Sequence, residues 1–207
     1  MDFISYSEVP KNQKVTYANF VYDYRPLKSD NFRIMMTVGG DKLEYFENTS
    51  PPAASLIETK LLINSLISDH KTKNAKFCSM DLKDFFLNTP MDKAEYIRIH
   101  KKYFSKSFRE AYKLHDKIHN DGYIYCRIKK GMYGLKQAAI LAYKLLLKRL
   151  AQKGYHPIPL TDGLFKHTTR RTIFALCIDD FGIKYHSDDD LQHLQNTLKN
   201  TTMCLWI

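Results

Sequence analysis

One segment limits the folds open to this chain more than any other. Thr172-Ile173-Phe174-Ala175-Leu176-Cys177-Ile178 is a run of β-formers that breaks at Asp179-Asp180, and apolar character resumes in Phe181-Gly182-Ile183-Lys184-Tyr185. Two short apolar runs joined by turn-forming acids read as a β-hairpin. Its tip carries two adjacent carboxylates, whose mutual repulsion and partial desolvation are costly unless a cation offsets them. A third acid, Asp81, closes another strand-like run, Ala75-Lys76-Phe77-Cys78-Ser79-Met80. With the pair it makes an all-oxygen donor set of the kind that holds two divalent cations in phosphoryl transfer. The alternative is an ordinary turn, because Asp is also a common turn residue.

The chain of 207 residues is long enough for one substantial core or two small subdomains, and 44% hydrophobic residues with 13% aromatics is a globular composition. Its formal charge of +10 gathers in three runs. These are Lys101, Lys102, Lys106 and Arg109; Arg127, Lys129, Lys130 and Lys136; and Lys144, Lys148, Arg149 and Lys153. Such clustering fits a polyanionic partner, nucleic acid first, and equally a solvated surface. The four cysteines lie far apart, three of them in apolar strand-like runs, which suggests neither a zinc pattern nor a disulfide framework. A reducing, intracellular location is expected, cytoplasmic or nuclear rather than secreted. The N-terminus lacks a basic segment followed by a long apolar run, and no stretch approaches about 18 apolar residues, so no membrane partner is expected.

Val15 to Tyr24 and Phe32 to Val38 read as a hairpin around Lys28-Ser29-Asp30-Asn31. Thr49-Ser50-Pro51-Pro52 offers a cap and initial prolines for a helix reaching about Ser68. Leu82 to Leu87 reads as a short helix or tight turn, Tyr96 to Ile99 as a strand and Ser105 to Ile118 as a basic helix. Gly122 to Lys129 is strand-like, and a long helix is expected from about Lys136 to Lys153, stopped by Gly154. Leu164 to His167 is a further strand, and Ser187 caps a last helix whose Asp188, Asp189 and Asp190 suit its positive end. This mixture indicates an α+β fold with a largely antiparallel sheet. His115 and His119, four residues apart, have a spacing that can bind metal but no third ligand nearby, and they read as surface residues.

Four segments recur in a recognisable order. They are Arg25-Pro26-Leu27-Lys28 with Thr37-Val38-Gly39-Gly40-Asp41-Lys42; Asp81-Leu82-Lys83-Asp84-Phe85-Phe86-Leu87-Asn88-Thr89-Pro90; Gly131-Met132-Tyr133-Gly134-Leu135-Lys136-Gln137-Ala138; and Cys177-Ile178-Asp179-Asp180. Together, over roughly residues 11–200, they make the chain resemble the reverse transcriptase domain of copia-type LTR retrotransposons. The resemblance implies an α+β fingers-palm fold with a ferredoxin-like antiparallel palm sheet backed by helices. It implies a single unit over 1–207, with about 11–75 mainly fingers, about 76–200 mainly palm with a fingers insertion, and thumb and RNase H domains absent. The implied activity is RNA-directed DNA polymerisation with two Mg²⁺ ions, deoxynucleoside triphosphate (dNTP), and an RNA or DNA template with its primer. The alternative is a truncated, catalytically inactive nucleic-acid-binding remnant of a retroelement polyprotein.

By the same resemblance, Asp81 and Asp179 bind both metals, Asp180 assists, and the Leu82 backbone carbonyl adds a ligand. Phe86 matches the aromatic that packs against the sugar and excludes a 2′-hydroxyl; the alternative is that it is core, as Phe85 is expected to be. Gln137 matches the residue that contacts the incoming nucleotide, the alternative being an exposed glutamine at a helix start. Cys177 is expected to be a buried packing residue and Ile178 to lie beneath the primer terminus. The family's basic residue two positions before Thr-Val-Gly-Gly is here Met35, and Arg33 is the nearest substitute, about 7 Å further along the same strand face.

Overall fold

The computed structural model describes residues 1–199 and, for the backbone alone, residues 204–206. The strands are β1 (Asp2–Ile4), β2 (Val15–Tyr24), β3 (Phe32–Val38), β4 (Lys76–Leu82), β5 (Pro90–His100) and β6 (Tyr123–Lys130). They continue as β7 (Tyr155–Pro157), β8 (Leu164–His167), β9 (Ile173–Cys177), β10 (Asp180–Tyr185) and β11 (Cys204–Trp206). The α-helices are α1 (Leu56–Lys73), α2 (Lys106–Ala111), α3 (Ala138–Gln152) and α4 (Asp188–Lys199). The chain forms two compact units, Met1–Thr49 with Thr89–Ala138, and Ser50–Asn88 with Ala139–Ile207. The architecture is mixed α+β.

The first unit holds a sheet in the order β1-β6-β5-β2-β3, antiparallel except for β2 against β5. Two of the sequence motifs meet here backbone to backbone. Val38 N donates to Tyr133 O at 2.8 Å, and a Cβ added to Gly134 (φ +93°) would stand 2.0 Å from the Val38 carbonyl oxygen. A Cβ on Gly40 would likewise stand 2.0 Å from the Gly134 oxygen. Glycine is required at both positions because two main chains occupy the space a side chain would need.

The second unit holds a sheet in the order β11-β4-β10-β9-β8-β7. Strand alternation sorts its residues between two faces. Met80, Leu82, Phe174, Leu176, Phe181 and Ile183 turn to one face and form the main core with Leu146 and Leu150 of α3 and Leu194 and Leu198 of α4. The other face carries Ala175, Ile173 and Lys184, packed beneath α1 through Leu62. Lys184, buried to 3% exposure, gives its Nζ protons to Ser65 O at 3.0 Å, Ser65 Oγ at 2.8 Å and Asp69 Oδ2 at 2.7 Å. Asp69 also accepts from Lys73, and the two ammonium groups lower its pKa to about 2. This knot fixes α1 over one end of the face and leaves the other end open.

Several element boundaries differ from the sequence expectation. α1 starts at Leu56, not after Thr49, because Ser55 and Glu58 form a capping box. The helix expected over Ser105 to Ile118 stops at Ala111, since Lys113 takes φ +50° and Leu114 N turns back to Arg109 O at 2.8 Å. Leu82 to Leu87 resolves into turns, with Asp84 at φ +56°. α4 is capped by Ser187 Oγ as expected, and its leading acids pair with side chains: Asp188 with Lys76, Asp189 and Asp190 with Arg170. The C-terminal residues 200–207, apolar from Met203 onward, lie outside the described residues except for the backbone of 204–206.

Candidate active site

The open end of the second unit's sheet carries the acids. β10 runs antiparallel to β4 with Asp180 directly opposite Asp81, and antiparallel to β9 with Asp180 opposite Cys177. Leu82 N donates to Asp179 O at 3.0 Å, which makes Leu82 and Asp179 a hydrogen-bonded pair. Asp81 and Asp180 are therefore a non-hydrogen-bonded pair, the kind whose Cα atoms approach to about 4.5 Å with side chains close on one face. Cys177, Asp180 and Asp81 thus form one row across three adjacent strands. Asp179 stands in the turn beside it.

The turn itself is strained. Cys177 and Asp180 close a two-residue loop, Ile178-Asp179, and Ile178 adopts φ +62°. Positive φ at the first loop residue matches the twist of the hairpin but is unusual for a β-branched side chain. Such strain persists where the surrounding pairing over-determines it. Here the β9–β10 and β10–β4 ladders do so and hold Ile178, 44% exposed, at the hairpin tip.

Electrostatics mark the same residues. Burial, then the Asp180 charge, raises the pKa of Asp81. Burial, then the charges of Asp81 and Asp180, raises that of Asp179. Among the described residues none of the three acids is ion-paired with a lysine, arginine or histidine. The uncompensated hard-oxygen set suits a divalent cation such as Mg²⁺ in donor chemistry. As they stand, no three His, Cys, Asp or Glu side chains among the described residues converge into a metal-holding group. Grasping a cation therefore requires the Asp side-chain torsions to turn, and χ2 of Asp is broad enough to allow it.

Of the remaining expected site residues, Leu82 and Phe86 share the second unit with the acids, whereas Arg33 and Gln137 belong to the first. Phe85 is core at 4% exposure, and Phe86 is half-buried against that core. Arg33 is exposed on β3 opposite Asp23, and Met35 is half-buried opposite Val21. Gln137 is buried at 6% exposure, not an exposed helix-start residue. Its Nε2 donates to Glu95 Oε1 at 2.8 Å, while its Oε1 is buried with no hydrogen-bond partner among the described residues. Burial raises the pKa of Glu95, which the Gln137 bond opposes.

Glu95 had no role in the sequence reading, and its only signal was an acid immediately before the apolar start of the Tyr96 to Ile99 strand. Cys177 is exposed rather than buried, because register turns it to the acid face. His119 lies by Asp121 at 3.1 Å, and His115 sits in a separate 3₁₀ turn.

Residues 4–203 match the reverse transcriptase (RNA-dependent DNA polymerase) family, and the chain belongs to it. This is the family found in copia-type retrotransposons. Domains of this family generally use divalent metal ions. A solved structure of telomerase from Candida albicans, in complex with a TWJ fragment of telomeric RNA, aligns with a TM-score of 0.46 and 10% identity. The alignment covers 96% of this chain and 43% of that one, so the chain spans under half of its length. No curated protein sequence matches the chain. Among the described residues, no helix is long and apolar enough to cross a membrane.

Proposed function

We propose that the chain carries the nucleotidyl-transfer centre of an RNA-directed DNA polymerase, acting on a dNTP and the primer 3′-hydroxyl of an RNA or DNA template. The observation that supports this best is the placement of Asp180 opposite Asp81 on one open sheet face, with Asp179 adjacent and, among the described residues, no cationic side chain paired to any of them. In this reading the first unit is the fingers and the second the palm.

Asp81 and Asp179 hold two Mg²⁺ ions, with Asp180 and the Leu82 carbonyl assisting. When bound, the ions stabilise charge on the attacking 3′-oxygen and on the leaving pyrophosphate. The raised pKa values of Asp81 and Asp179 express a free-energy cost of ionisation, and a bound cation would offset that cost. The strained Ile178 tip presents Asp179 beside the primer terminus. Phe86 lies against the sugar and disfavours a 2′-hydroxyl. By resemblance Gln137, its amide nitrogen engaged by Glu95, contacts the incoming nucleotide, and Arg33 reaches back to the triphosphate where Met35 supplies no charge.

Primer extension on an RNA template by the purified chain tests this reading, with Asp179→Asn as control. Magnesium-dependent extension that disappears in the variant supports it. Absent extension with retained RNA binding supports the inactive nucleic-acid-binding remnant instead.

A further inference from the structure

The second unit has a basic cleft at the end of its sheet away from the acids. Its volume is about 540 Å³, and it lies between the last turns of α1, the β8–β9 turn and the end of β10. Lys184 and Asp180 are four residues apart on one strand, a separation of about 13 Å. The cleft is therefore distinct from the acid row.

The charge balance of the lining is one-sided. Lys73 and Lys184 share Asp69, the one lining carboxylate among the described residues, and Arg170 turns to Asp189 and Asp190. Lys166 and Arg171 line the same cleft, and among the described residues neither has an acidic partner. Register explains the placement of Lys166: it pairs with Ile173, and Ile173 with Lys184, so both lysines stand on one face of the sheet. The salt knot under α1 quenches Lys184 and leaves Lys166 unquenched. His186 also lines the cleft, with its Nδ1 on Lys73 O at 2.9 Å.

Among the described residues, no Phe, Tyr or Trp lines the cleft, and Ile173 is its one large apolar residue. Stacking surfaces there are limited to the imidazoles of His167 and His186 and the guanidinium planes, whereas an anion meets an unpaired ammonium and guanidinium. We propose that this cleft binds the phosphate backbone of a nucleic-acid strand through Lys166 and Arg171, independently of sequence. The choice of nucleic acid over free polyphosphate rests on the polymerase reading above; the anion site itself does not.

The test is equilibrium binding of a 20-nucleotide single-stranded RNA, and separately of inorganic tripolyphosphate, over a range of salt concentrations. The proteins compared are wild type, Lys166→Glu/Arg171→Glu and a control of equal charge change, Lys106→Glu/Lys113→Glu, each checked for an unchanged melting transition. Deprived of the two cations that hold phosphates, the cleft variant should bind the RNA about tenfold more weakly near 0.15 M salt. Its log–log salt slope should be shallower by about 1.4. The control should change less. Equal weakening by both variants, or none by the cleft variant, overturns the site. Tripolyphosphate binding that the cleft variant loses, with RNA binding intact, overturns the occupant. Primer extension reads the acid row and salt-dependent binding reads the cleft, so failure of the cleft and failure of the polymerase reading appear in different assays.

Discussion

The cost of the acid row is measurable in the absence of metal. Replacing Asp81 by Asn keeps the shape and removes one of two charges that face each other on adjacent strands. Two carboxylates about 5 Å apart repel by about 3 kcal/mol at an effective dielectric of 20 and by about 1 kcal/mol in water. Asp180 is exposed, so the lower figure applies, and the variant should be about 1 kcal/mol more stable than wild type in chelator at neutral pH. For a chain of 207 residues that is a rise in Tm of about 2–4 °C.

The pH dependence follows from the direction of the shifts. Asp81 and Asp179 have folded pKa values above their ordinary ones, so between the unfolded and folded pKa the native state binds more protons and stability falls as pH rises. The penalty is complete above the folded pKa and vanishes below the unfolded one. The advantage of Asp81→Asn should therefore shrink as pH falls toward about 4. Asp69 acts oppositely: its contribution is present above the ordinary carboxylate pKa and is lost as pH falls toward about 2, equally in both proteins. Thermal melts in chelator from pH 4 to 8 provide the assay, and excess Mg²⁺ should raise the wild-type Tm more than the variant's. A variant less stable than wild type at pH 7 in chelator would refute the reasoning.

Three further substitutions probe separate parts of the account. Ile178→Gly removes a β-branched residue from φ +62° and should raise stability by up to about 1 kcal/mol in urea unfolding, glycine's chain entropy offsetting part of the gain; a clear loss would mean the turn is unstrained. Gly134→Ala drives a Cβ into the Val38 carbonyl and should cost at least about 2 kcal/mol, seen as lost amide protection at Val38; unchanged protection would show that the two segments do not touch. Glu95→Gln frees the Gln137 amide to flip, so the KM for dNTP should rise about fivefold, about 1 kcal/mol, while the Tm changes little; an unchanged KM would remove Glu95 from the site's support.

The features legible in the sequence are those whose signal is local. The β9–β10 hairpin announces itself through two apolar runs broken by acids, although the loop is Ile178-Asp179, one residue earlier than the Asp179-Asp180 pair suggests, and α4 announces itself through Ser187 and its acids. The capping box that sets the start of α1 was also present, as Ser55 and Glu58, but Thr49-Ser50-Pro51-Pro52 offered a competing start signal. Cross-strand register is not local. Nothing near Cys177 says that it stands opposite Asp180, and nothing near Val15 says that β2 runs parallel to β5 through Tyr96. Glu95 and Gln137 are 42 positions apart, and their bond exists only once β5 and the start of α3 are brought together. The early end of α2 depends on a left-handed Lys113, a conformation that lysine does not advertise.

The central claim is that Asp81 of β4 and Asp179-Asp180 of the hairpin serve one metal centre. Iron-mediated backbone cleavage tests it directly: the purified chain is loaded with Fe²⁺ in place of Mg²⁺, cleavage is started with ascorbate and peroxide, and the fragments are mapped by mass spectrometry. Cuts are expected near residue 81 and near residues 179–180 in the same sample, both suppressed by excess Mg²⁺ and both lost in Asp81→Asn. Cuts at only one of the two strands, or cuts that persist in Asp81→Asn, would contradict the claim.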